Sequence, residues 1–122
     1  MINEKLNKDM LDLIDTKEDK INDTGWETLT STYTSDTFKI RKIGNIVNLV
    51  IITMNVNTTN EAIICTLPEK YRPSSTIVFM MGSLNNTYTR AIIDTDGVLK
   101  MNNTGGTSYA GWRSGSVSYF VD

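Results

Sequence analysis

The segment Leu67-Pro68-Glu69-Lys70-Tyr71-Arg72-Pro73 holds both prolines of the chain. Each proline fixes its own φ, removes a backbone donor and pushes the preceding residue out of the helical region, which makes the segment a stiff corner and neither helix nor central strand. Apolar runs flank it, Ala62-Ile63-Ile64-Cys65 before and Ile77-Val78-Phe79-Met80-Met81 after. Their length and their β-branched and aromatic content are those of buried strands. A rigid elbow between two core strands fixes how one part of a β-fold passes into the next.

Working outward, the chain from Trp26 onward has a period of two. Thr28, Thr30, Thr32 and Thr34 line one face of 26–34, with Leu29 and Tyr33 on the other, which predicts an edge strand. Phe38 and Ile40 alternate with Lys39 and Arg41, and Gly44-Asn45 marks a tight hairpin turn into a strand over 46–56. That strand is apolar at odd positions (Val47, Leu49, Ile51) and at even ones (Ile46, Val50, Ile52, Met54, Val56), and 75–84 is apolar on both faces too. Strands of this kind need cover on both sides, which a second copy of the chain would supply. Tyr88 to Ile93 is a strand ending in the hairpin signal Asp94-Thr95-Asp96-Gly97, followed by Val98 to Met101. Residues 102–115 read as a glycine-rich surface loop, and Val117 to Val121 as a closing strand.

Residues 3 to about 22 give the helical pattern. Leu6, Met10, Leu13, Ile14 and Ile21 form one stripe among charged faces, and Asp23-Thr24-Gly25 supplies a stop. Such a helix is marginal alone in water, so it packs either on its own β-domain or against the same helix of other copies as a short coiled-coil stem. The division is therefore a helical stem over 1–24 and a β-head over 25–122. About eight short strands without interleaved helices make the chain all-β, an antiparallel β-sandwich or jelly-roll-like barrel behind a short N-terminal coiled-coil helix.

Composition removes whole classes of function. A net charge of −2 and no basic block exclude the electrostatic footprint of nucleic-acid binding. Histidine is absent and Cys65 is the single cysteine, so there is no Ser-His-Asp or Cys-His catalysis and no thiolate metal cluster. No cofactor is implied. The start is charged with no apolar signal region, and Leu49-Val50-Ile51-Ile52 is too short to span a bilayer, so membrane insertion is not expected. Asp94 and Asp96 lack the further oxygen ligands of a calcium loop. Seven acids after residue 25, no two of them marked as a pair, give no basis for glycoside hydrolysis. The chain does not read as an enzyme.

Four pieces in order resemble a known family: Gly44-Asn45-Ile46-Val47-Asn48-Leu49, the elbow itself, Ile92-Ile93-Asp94-Thr95-Asp96-Gly97-Val98-Leu99, and Gly115-Ser116-Val117-Ser118-Tyr119. Together, across 26–122, they resemble the C-terminal head domains of bacteriophage tail-fibre and baseplate receptor-binding proteins from siphophages and prophages of Gram-positive hosts. The resemblance implies a β-barrel head that forms a homotrimer and binds host cell-wall or surface saccharide. It also implies an N-terminal attachment to a phage tail or baseplate protein and a place at the tip of the virion. Two other readings stand beside it, a structural trimerising tip without a ligand and, disfavoured, a glycan hydrolase.

Saccharide sites set an aromatic face against a sugar ring and surround it with amide, carboxylate or guanidinium groups. The richest such neighbourhood is Tyr109, Trp112 and Arg113, with Trp112 either exposed for a ligand or plugging the barrel end or an interface. Tyr88, Arg90 and Asp94 share a strand face and are a second candidate, or else a solvated face. Trp26 reads as the packing anchor between stem and head. Tyr71 and Arg72 of the elbow are available for packing between subunits.

Overall fold

The computed structural model describes residues 22–56, 61–83, 88–102 and 111–122. The expected helix, with Leu6, Met10, Leu13, Ile14 and Ile21, lies outside the described residues, as does Tyr109. The described part is all-β. Its strands are β1 Glu27–Thr28, β2 Thr37–Ile43, β3 Ile46–Val56, β4 Glu61–Thr66, β5 Ile77–Ser83, β6 Tyr88–Ile93, β7 Val98–Asn102 and β8 Gly111–Phe120. They form one curled antiparallel sheet in the order β1-β2-β3-β8-β5-β6-β7-β4. The two expected hairpins are present, Gly44 taking a φ of 58° and Gly97 one of 87°, angles that glycine adopts without steric cost.

The elbow joins strands that are not neighbours. β5, β6 and β7 follow one another as a meander, and β4 lies beyond β7, so 67–76 is the long connection of a Greek key. Within it Glu69–Tyr71 makes a single 3-10 turn, and Arg72 is extended, as a residue before proline must be. The Tyr71 side chain is fully buried. Tyr119 of β8 donates its hydroxyl to the Tyr71 carbonyl at 2.6 Å, and the Tyr71 hydroxyl donates to Thr24 Oγ1 at 3.3 Å. Lys70 Nζ meets Glu27 Oε1 of β1 at 2.6 Å. The elbow thus closes the gap between the two edge strands, β4 and β1. Tyr71 is spent on the interior of its own chain and not on packing between subunits, because the 3-10 turn rotates it under the sheet. Arg72 is half-buried, its Nε donating to the Leu67 carbonyl at 3.2 Å.

The two-sided apolar pattern of β3 has a local cause. Thr53 takes a φ of 54°, and the ladder to β8 shifts register between Ile51 and Met54. This bulge exchanges the faces of the strand: Val47, Leu49 and Ile51 point inward before it, and Met54 and Val56 after it. All five are core residues of one chain, so β3 needs less outside cover than its sequence suggests. β5 keeps a regular alternation, with Met81 buried and Val78 and Met80 more than half exposed.

Two stretches fold differently from their sequence expectation. Of 26–34 only Glu27–Thr28 is strand; Leu29 bonds its amide to Phe38, and Leu29 and Tyr33 turn in to pack on the core. Threonine alternation suits a strand, but the chain here pairs with β2 for two residues only. Conversely, 111–115 continues β8 and is not loop. A Cβ at Gly115 would stand 2.5 Å from Met81 Sδ, so this glycine lets β8 pass close to β5 and is not a sign of irregular chain.

Three measurements check this architecture. At Gly97 a Cβ would lie 2.8 Å from Arg72 Nε and 2.9 Å from the Leu67 carbonyl oxygen, on a backbone of positive φ. Gly97→Ala is expected to lower unfolding free energy in urea by about 1–3 kcal/mol by straining the hairpin against the elbow. Thr53→Gly removes a left-handed threonine, and net of glycine's entropy it is expected to raise stability by about 0.5–1 kcal/mol. Burial pushes the Tyr119 phenol up from its ordinary 10.0 and the Cys65 thiol up to about 11. The folded state holds both protons longer than the unfolded chain. Their contribution is therefore complete below the unfolded values and is lost as pH rises above 9 to 10, and the urea midpoint is expected to fall between pH 8 and pH 11.

Candidate functional site

The outer face of the curled sheet carries the residues that the interior does not use. Along β8 the alternation puts Arg113, Val117 and Tyr119 toward the core and Trp112, Ser114, Ser116 and Ser118 outward. Trp112 is 41% exposed. Arg113 is 1% exposed, its guanidinium lowered in pKa by burial, so it is not on the surface beside Trp112. Adjacent residues of a strand point to opposite faces, and once 111–115 is strand the pair must separate. Tyr109 lies outside the described residues.

On β6, Tyr88 and Arg90 both face outward, Tyr88 being 73% exposed. Asp94 lies past the other end of that strand, about 20 Å along the chain direction from Tyr88, and pairs with Lys100 Nζ at 3.2 Å. It belongs to the β6–β7 hairpin and not to the surface around Tyr88. Trp26 lies under two cations of β2, Lys39 Nζ at 4.5 Å and Arg41 Cζ at 5.8 Å from its ring. Arg41 also forms an ion pair with Asp23, holding that carboxyl down at about 2. These contacts fasten 23–26 along β2, at the start of the sheet.

The register connects Tyr88 with Trp112. Gly82 of β5 pairs with Tyr88 on one side and with Ser114 of β8 on the other. Ser114 in turn faces the β3 bulge, where its Oγ accepts the Thr53 amide at 2.8 Å. Trp112 stands two residues along β8 on the same face. A depression of about 200 Å³ results, lined by Thr53, Gly82, Ser83, Trp112 and Ser114. Of these only Trp112 is marked by residue type in the sequence; the others become visible through pairing, although a glycine at an outward position of an apolar strand after Val78 and Met80 is a readable signal.

A second feature of the outer face is apolar. Ile63, Val78 and Met80 are 63, 56 and 55% exposed, on β4 and β5. Ile46, Ile52 and Phe120 are exposed on β3 and β8. Among the described residues no group of three or more His, Cys, Asp or Glu side chains is placed to hold a metal ion, and no helix is long and apolar enough to cross a membrane.

No family model and no curated protein matches the sequence. Solved structures do. The receptor-binding protein gp15 of Listeria phage PSA superposes with a TM-score of 0.74 at 14% identity, covering 99% of this chain and 78% of that one. The head domain of lactococcal phage bIL170, described among the receptor-binding domains of such phages, gives a TM-score of 0.58 at 15% identity, over 83% of this chain and 98% of that one. The curled sheet closed by its proline elbow is thus the fold of phage receptor-binding proteins.

Proposed function

We propose that this chain is the receptor-binding head of a bacteriophage tail, a homotrimer that recognises saccharide on the surface of a Gram-positive host. The observation that carries the reading is the structural likeness to a phage receptor-binding protein across 99% of the chain. The surface supports it. An aromatic-walled depression suits a sugar ring, whose C–H face packs on an indole while hydroxyls bond to neighbouring oxygens.

Self-association is supported by the outer apolar residues. With the core of one chain complete, Val78 and Met80 remain in solvent two residues apart on one face of β5, and such exposed side chains mark association surfaces when they cluster. A stem over 1–24 would hold the heads parallel and link them to the tail or baseplate. Three weak sites on one particle act together, and many particles on one virion more so, because each binding event after the first is intramolecular. No chemistry on the sugar is required.

Sedimentation and binding to host walls test the two halves of this reading separately. The intact chain is expected to sediment as a trimer at micromolar concentration and to be retained by purified walls of its host. A stable monomer contradicts the assembly, and retention by no host surface contradicts the adhesin.

A further inference from the structure

We propose that the transverse groove floored by Gly82 is the sugar subsite, and that it takes an uncharged six-membered ring. This rests on the receptor-binding reading above and assigns its site and ligand class.

The argument starts from the glycine. Nothing in the fold requires one at position 82: its φ is not positive, and a Cβ there would meet only the Ser114 carbonyl oxygen, at an ordinary 3.9 Å. The preceding outward positions of β5 hold Val78 and Met80. The missing side chain therefore leaves open surface where the pattern places a large one. Tyr88 on β6 and Ser114 on β8 stand on either side of Gly82, two strand spacings or about 10 Å apart, and Trp112 rises at the end of the trough. That width and a volume of about 200 Å³ suit one ring.

The lining selects its charge. Thr53 and Ser114 carry hydroxyls, and Gly82, Ser83 and Trp112 add no ionisable group. An anionic or cationic ligand would lose hydration in this trough without a counter-charge on its lining, whereas a neutral polyol exchanges water for hydroxyl partners. Ser114 accepts the Thr53 amide and keeps its own proton to donate. The nearest charge by register is Arg113, which pairs with Ser83 but turns into the core and is 1% exposed; on the outer face the nearest is Arg90, one rung away opposite Met80. Thr53 itself is held in a left-handed conformation at this edge, the kind of local strain that accompanies binding surfaces.

The test uses the full chain with Trp26→Phe, so that Trp112 is the only indole. Glucose, galactose, N-acetylglucosamine and glycerol 1-phosphate are titrated while Trp112 emission is followed, and host-wall retention is measured in parallel. At least one neutral sugar is expected to shift the emission while glycerol 1-phosphate does not. Gly82→Leu, which has room in the fold, is expected to keep the melting temperature and weaken sugar and wall binding about tenfold or more, as is Trp112→Ala. Wall binding undiminished in both variants overturns the subsite and leaves the adhesin reading standing. Preference for the phosphate overturns the ligand class. Sugar binding lost in Gly82→Leu without any wall retention upholds the subsite while the adhesin reading falls, and absence of both sugar and wall binding overturns both.

Discussion

The hydrogen bond from the Tyr119 hydroxyl to the Tyr71 carbonyl, buried at 2.6 Å, is the contact on which the rest of the sheet depends. A sheet of eight strands that curls without pairing its first and last strands leaves two edges exposed. Here the edges are β1 and β4, and the segment that leaves β4 lies across the opening. Its prolines hold it there with little conformational freedom to lose, its Tyr71 side chain fills the end of the core and bonds Thr24 ahead of β1, and its backbone is tied to β8 and to the Gly97 hairpin. Leaving the Tyr71 carbonyl without its partner would cost about 1–3 kcal/mol, a large share of the margin by which a domain of this size is stable. The exposed Lys70–Glu27 pair lies over the same gap and adds little beside it.

Closure by an elbow leaves the outward side chains of the sheet outside the core. Inside, β3 supplies five core residues from both halves of its length because the Thr53 bulge changes their phase. The same bulge brings Thr53 to the edge of the Gly82 groove. One local irregularity thus fills the core on one side and shapes a surface on the other. In the proposed reading, self-association and ligand recognition draw on separate features of the outer face, the apolar side chains of β5 and the hydroxyl and indole groups around Gly82.

The legible part of the fold was what short-range pattern controls. Proline pairs, Gly44 and Gly97 turns, and the alternation at Phe38 and Ile40 or Tyr88 to Ile93 announce elements whose cause is local. Trp112 stood out as an aromatic among glycines, while its sequence left open whether it is exposed or plugs the end of the barrel or an interface. What stayed hidden depends on partners far along the chain. Nothing near Thr53 says that the strand carries an extra residue there, so Met54 and Val56 read as a second apolar face. Gly115 looks like loop until Met81 is placed beside it. Arg113 looks like a companion of Trp112 until both are in one strand, where neighbours must part. Thr53, Gly82, Ser83 and Ser114 come from three strands, and only the order β3-β8-β5 brings them together. A threonine, two serines and a glycine scattered over 62 positions carry no spacing that a linear reading can use.

The elbow is architecture, and the proposed ligand contacts lie in the groove on the outer face. Amide chemical-shift mapping with solubilised fragments of the host wall tests this most directly. The account predicts perturbations concentrated at Thr53, Gly82, Ser83, Trp112 and Ser114, with the amides of Leu67 to Arg72 unmoved. Perturbations centred on the elbow, with the groove silent, would contradict it.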